Sequence, residues 1–260
     1  MTYLATVLAD NPSHYWRMAD QGGRICHDIG SVTPEVILGC TAGEMLPYTG
    51  IALDGGSLAC CGTLAQTPNA SVHLPATGWS LECWFFASGL QGAAGGLHNQ
   101  YALSLNDDQH GVFSRLWCQT DGKCGFDNTF GGQVLSATKP FQTWHHVVGA
   151  FNGTHTLVYV DGVFIGNDAL AGLGAGDYRV MVGNNIGNLT EPLYGAVAEC
   201  AVYQFGLSAT QVANHFNAIE VAVTAPPLFQ LGGVVGVGVG GTAPFSSLLN
   251  AILQSVRKTY

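Results

Sequence analysis

Charge is scarce in this sequence. Only 10% of its 260 residues are Asp, Glu, Lys or Arg, against about 25% in an ordinary soluble domain. Much of the surface must therefore be Ser, Thr, Asn, Gln, Gly or apolar. Such a surface is either a neutral, Thr- and Asn-rich β face or one covered in part by a partner. Basic residues are scarcer still: eight Lys and Arg and a formal net charge of −9 exclude the clustered positive surface that tracks phosphates, so nucleic acid is not expected as a partner. No apolar run reaches the length of a membrane span, so no membrane is expected either. The first ten residues lack a basic segment, and their short apolar run soon meets Asp10, Asn11 and Pro12, unlike a secretory signal. Synthesis in a cytoplasm is the expectation. Cysteine is present eight times but never as Cys-x-x-Cys, and Cys118 and Cys124 are loosely spaced for a zinc site. Free thiols in a reducing compartment are expected. The sequons at Asn69, Asn152 and Asn188 matter only on a secretory route.

Glycine and aromatic residues are abundant instead. Thirty-six Gly, 12 Phe, 9 Tyr and 5 Trp with few helix-favouring charges predict many short strands and tight turns. Residues 80–86 alternate Leu81, Cys83 and Phe85 with Glu82, Trp84 and Phe86, the pattern of a central strand covered on both faces. Asp161-Gly162 between two apolar runs is the pair best suited to a two-residue hairpin turn. Farther on, Ser208 and Gln211 have capping-box spacing and Leu207 and Val212 staple spacing, which predicts a closing helix. One core is expected over roughly residues 10–219, with no second.

The texture changes after residue 219. Residues 220–243 read as a Pro-, Gly- and Val-rich linker. Residues 244–260 read as an amphipathic attachment helix, with Phe245, Leu248, Leu249, Ile252, Leu253 and Val256 on one stripe. That stripe needs a partner, either a copy of the chain or another component of an assembly.

The ordered motifs resemble the laminin G-like, concanavalin A-like jelly-roll family. They are His14-Tyr-Trp-Arg-Met-Ala-Asp20, Ala52-Leu-Asp-Gly55, Ser71-Val-His-Leu-Pro75, Gly78-Trp-Ser-Leu-Glu-Cys-Trp84, Trp144-His-His-Val-Val148 with Leu157-Val-Tyr-Val-Asp-Gly162, and Gly195-x-Val-x-Glu-x-x-Val-Tyr203 with Leu207-Ser208. Ala198 stands where many members carry Asp. The resemblance implies an all-β, two-sheet jelly-roll sandwich over residues 1–219 with a short C-terminal helical tail. The opening residues also resemble laminin G-like proteins of bacteriophage structural modules.

Chemistry follows from what the motifs hold. The family's hydrolases carry Glu-x-Asp-x-Glu on one strand, as the resemblance implies, and this sequence has no such run. Glu82 is left without a visible second acid, and an interior or groove-edge carboxylate with a hydrogen-bond partner is the expectation. His145 and His146 point to opposite faces, and His146 is expected in the core. No catalytic residue is expected. Calcium is the one cofactor the loops could hold, through Asp107, Asp108 and Asn184. Trp117, Tyr178 and Tyr194 are the candidate sugar platforms. The reading is a non-catalytic structural or adhesive protein of a bacteriophage virion, a capsid decoration, tail or fibre-associated subunit. Its partners are other virion proteins or copies of itself through the tail, and host surface glycans; the alternative is a lectin-like carbohydrate-binding module.

Overall fold

The computed structural model describes residues 2–18, 25–31, 37–38, 58–61, 65–67, 71–87, 99–107, 113–128, 132–168, 174–184 and 192–218. The linker and tail expected at 220–260, Asp108, Asn69 and Asn188 lie outside the described residues. Residues Met1–Ala225 form one compact unit.

In chain order the elements are α1 (Tyr3–Ala9), β1 (His14–Trp16), β2 (Ile25–Cys26), β3 (Ile37–Leu38), β4 (Leu58–Cys61), β5 (Ala65–Gln66), β6 (Val72–Leu74), β7 (Trp79–Ala87) and β8 (Gln100–Asn106). They continue with β9 (Phe113–Cys118), β10 (Lys123–Asn128), β11 (Gln133–Thr138), β12 (Trp144–Phe151), β13 (Thr156–Val160), β14 (Val163–Asp168), β15 (Gly176–Val182), β16 (Tyr194–Tyr203) and α2 (Ala209–Ala218). Among the described residues the first sheet runs β1-β16-β7-β12-β13-β14 with β4 also on β16, and the second runs β11-β10-β9-β8-β15-β5-β3-β2 with β6 on β15. The all-β, two-sheet sandwich expected from the sequence is what forms.

Local chemistry sets the turns. Asp161 and Gly162 take φ of 53° and 75° between paired Val160 and Val163, so the hairpin uses the two left-handed residues its sequence supplies. At α2, Gln211 N–H donates to Ser208 Oγ at 3.3 Å while Ser208 N–H donates to Gln211 Oε1 at 2.9 Å, the reciprocal box that satisfies exposed helix-end donors. Leu207 and Val212 are both buried beneath it.

Strand alternation divides the apolar residues into two cores. Trp79, Leu81, Cys83 and Phe85 of β7 join Leu103, Leu105, Leu116, Phe126, Val180 and Val182 between the sheets. A second cluster packs on the outer face of the first sheet, the cover that the two-faced alternation of β7 implies. There Trp84, Val148, Tyr159 and Ala198 meet Tyr3 and Val7 of α1 and Leu207 and Val212 from the α2 end. The outer face is apolar because two helices cover it. The first helix was missed: Thr2 caps it by accepting Ala5 N–H at 3.3 Å, and Tyr3 and Val7, four residues apart, share its buried side.

Candidate functional site

Two sets of polar residues could carry chemistry, one on the outer face of each sheet.

On the first sheet, Glu82 and Glu199 are both fully buried. Glu82 comes from the centre of β7. Glu199 sits at a bulge in β16, where the register shifts between Ala198 and Ala201 and its φ is 54°, an arrangement that re-aims one side chain. The expectation that Glu82 lacks a neighbouring acid on its face is therefore corrected, and the bulge is why strand periodicity could not reveal it. Both carboxylates are hydrogen-bonded to neighbouring side chains. Glu82 accepts from Tyr3 Oη at 2.9 Å, Tyr203 Oη at 2.9 Å, His146 Nε2 at 2.7 Å and His215 Nδ1 at 3.0 Å. Glu199 accepts from Tyr15 Oη and from Arg17, whose Nη2 lies 2.9 Å away. Burial works against the Glu82 charge, but the charge of His215 and hydrogen bonds from both histidines outweigh it and hold its pKa below the usual carboxylate range. Burial likewise lowers His215, yet Glu82, with Asp10 at 2.9 Å from Nε2, raises it to about 9. His146 is the buried, hydrogen-bonded histidine the sequence implied. His145 faces the other way, its Nδ1 3.1 Å from Asp161.

On the second sheet, Leu116, Cys118, Cys124 and Phe126 face inward, so Arg115, Trp117 and Asp127 face outward. Register brings a compact group together there. Trp117 pairs with Tyr101, Ser104 with both Arg115 and Met181, and Arg115 with Asp127. The Tyr101 and Trp117 rings stack with centroids 5.5 Å apart and planes 18° from parallel. Arg115 lies 4.0 Å over the Tyr101 ring and forms a two-point pair with Asp127 at 2.9 and 2.5 Å, the geometry that holds a guanidinium most firmly. Beside it, Arg179 Nη1 donates to Gln66 Oε1 at 2.7 Å. Within this ordered frame, Ser104 Oγ, both amide atoms of Asn106 and the Trp117 indole N–H are buried with no hydrogen-bond partner. Each such group costs about 1–3 kcal/mol when left unpaired, and three residues are so placed on one face.

The three aromatic candidates do not converge. Trp117 belongs to this group but is only 2% exposed, so it is not the open platform expected. Tyr178 packs in the core between the sheets, with its hydroxyl donating to Gly174 O at 2.9 Å; it is no platform at all. Tyr194 is half-buried at the start of β16, on the same strand face as Ala196 and Ala198, which puts it on the other outer side of the sandwich. The calcium set also separates. Asp107 follows the last residue of β8, while Asn184 follows Gly183, which bonds Ala102 near the first. The ends of that strand are roughly 20 Å apart at about 3.3 Å per residue, far beyond the 2.3–2.6 Å at which one ion is held. Among the described residues no group of three His, Cys, Asp or Glu is placed to hold a metal. No helix among them is long and apolar enough to cross a membrane.

A family model described as the concanavalin A-like lectin/glucanases superfamily, Laminin_G_3, matches residues 62–213. The chain belongs to that family. Solved structures agree on the fold. Trypanosoma rangeli sialidase aligns with a TM-score of 0.58 at 14% identity over 79% of this chain and 32% of its own. The sialidase in complex with sialic acid aligns equally well at 12% identity. The binding domain of Paraclostridial Mosquitocidal Protein 1 aligns with a TM-score of 0.57 at 16% identity, over 81% of this chain and 53% of its own. The chain thus spans about a third of the sialidase chain and about half of the toxin one. Among curated proteins none matches it.

Proposed function

We propose that this protein is a non-catalytic adhesive module that takes a carbohydrate on the outer face of its second sheet. The observation that carries the reading is the set of unpartnered buried groups on Ser104, Asn106 and Trp117 beside the Tyr101–Trp117 stack. A sugar presents hydroxyls to such groups and an apolar ring face to an aromatic one, and binding sites commonly combine an apolar lining with a few placed polar groups. Arg115 and Asp127 add donors and acceptors already held in position. The fold relatives that bind sialic acid, or that are named as a binding domain, support the class of function and nothing finer. The absence of catalysis is supported by Glu82 and Glu199, whose oxygens are occupied and buried.

A glycan screen followed by calorimetry tests the proposal. Binding of at least one sugar class, weakened by Asn106→Leu, supports it; no binding to any glycan overturns it.

The setting we propose is a bacteriophage virion, where the module decorates a capsid, tail or fibre and attaches through residues 220–260 to other virion proteins or to copies of itself. The low charge of the chain and the apolar stripe at 244–260 support this. A structural subunit that binds no sugar is the second reading, favoured by the burial of the same face. Mass spectrometry of purified particles tests the setting: stoichiometric presence of the chain supports it, and absence removes it.

A further inference from the structure

Cys118 and Cys124 are register partners across the β9–β10 hairpin. Their Sγ atoms lie 3.2 Å apart, and both side chains are buried between the sheets. Cys124 N–H turns away from β9 and donates to Ser136 Oγ on the β11 side at 3.1 Å. The pair is thus a non-hydrogen-bonded one, where opposed residues approach most closely, with Cα atoms about 4.5 Å apart. That separation falls inside the 4.4–6.8 Å window of roughly known disulfides. The sulfurs need only about 1 Å of approach, which side-chain rotation supplies without moving the strands.

We propose that Cys118 and Cys124 are the site of an intramolecular disulfide, formed by exchange with a small-molecule disulfide such as oxidised glutathione. One cysteine thiolate attacks the small disulfide, forming a mixed disulfide and expelling one small thiolate. The second cysteine thiolate then attacks the protein-bound sulfur, closing the Cys118–Cys124 bond and expelling the other. Two protein thiols lose two hydrogen atoms, and the small disulfide is reduced to two thiols. The hydrogen bond to Cys118 and burial both push the Cys124 thiol up, so thiolate is scarce in the closed sandwich and the folded chain reacts slowly. The bond forms while the hairpin is still open to solvent. Once formed, it locks the register that sets Arg115 opposite Asp127 and Trp117 opposite Gly125. This inference does not rest on the carbohydrate reading.

The test is refolding of the full chain with oxidised and reduced glutathione, alkylation, and tryptic mapping without reductant. Trypsin cleaves after Lys123 and so separates the two cysteines. The expected result is a pair of peptides, one holding Cys118 and one beginning at Cys124, joined without reductant and apart with it. Oxidation is expected to raise Tm by roughly 5–10 °C, and Cys118→Ser/Cys124→Ser to abolish the gain. Complete alkylation of both thiols after oxidative refolding, linkage of either to another cysteine, or a full gain in the double variant would overturn the proposal.

Discussion

His215 donates from Nδ1 to Glu82 at 3.0 Å, and neither side chain has any solvent exposure. A helix at the end of the described fold is thereby pinned to the centre of a strand formed more than a hundred residues earlier. Tyr3 and Asp10 bring the first helix into the same contact.

The pair makes stability depend on pH. The folded pKa of His215, about 9, lies above its ordinary value of 6.5, so its contribution is complete below pH 6.5 and is lost as pH rises through 9. Glu82 acts in the opposite sense: its pKa is depressed below 4.5, so its contribution is present above pH 4.5 and is lost as pH falls. Thermal unfolding from pH 4 to 10 should show the highest Tm between 4.5 and 6.5 and a decline toward 9. A Tm that holds level from 6.5 to 9 would contradict the assignment.

Removing the Glu82 charge leaves His215 and His146 buried without their acceptor charge, and losing one partner of a buried pair costs roughly 3–5 kcal/mol. Glu82→Gln should therefore lower stability in denaturant by about that amount and weaken the decline above pH 6.5, the Asp10 contact sustaining the remainder. Glycan affinity should not change, because Glu82 lies on the opposite sheet from Trp117. An unaltered denaturation midpoint would show the network to be unimportant.

Gly162 holds φ at 75°, and a Cβ there would meet Phe216 Cβ at 2.9 Å. Gly162→Ala should cost roughly 1–2 kcal/mol for the left-handed backbone alone, with a further loss from displacing Phe216, which stacks on Trp84 at 5.6 Å. Chemical denaturation read by tryptophan fluorescence checks this; an equally stable variant would mean that the hairpin and α2 do not press together.

Features written within a few residues were legible in the sequence. The Asp161-Gly162 turn, the Ser208 and Gln211 box and the two-faced alternation of β7 are local, and so was the interior role of His146; for Glu82 the sequence left an interior and a groove-edge place both open. Convergence was not legible. Tyr3, Tyr203 and His215 meet Glu82, and Asp10 meets His215, only through sheet order and helix docking, and Glu199 joins that face only because a bulge breaks strand parity. Arg115 and Asp127 are partners solely through β9–β10 register. Among the aromatics, residue type could not separate Tyr178, which packs between the sheets, from Trp117, which lies on an outer face.

Asn106 gives the most direct test of the central claim that the outer face of the second sheet is a binding site. Both amide atoms of its side chain are buried and unpaired, so replacing it with a similarly shaped apolar residue relieves a cost of about 1–3 kcal/mol if nothing polar is bound there. Measured together on Asn106→Leu, Tm without ligand should rise and affinity for the sugar found by the screen should fall at least tenfold. A variant that is no more stable than the parent and binds that sugar with undiminished affinity would contradict the account.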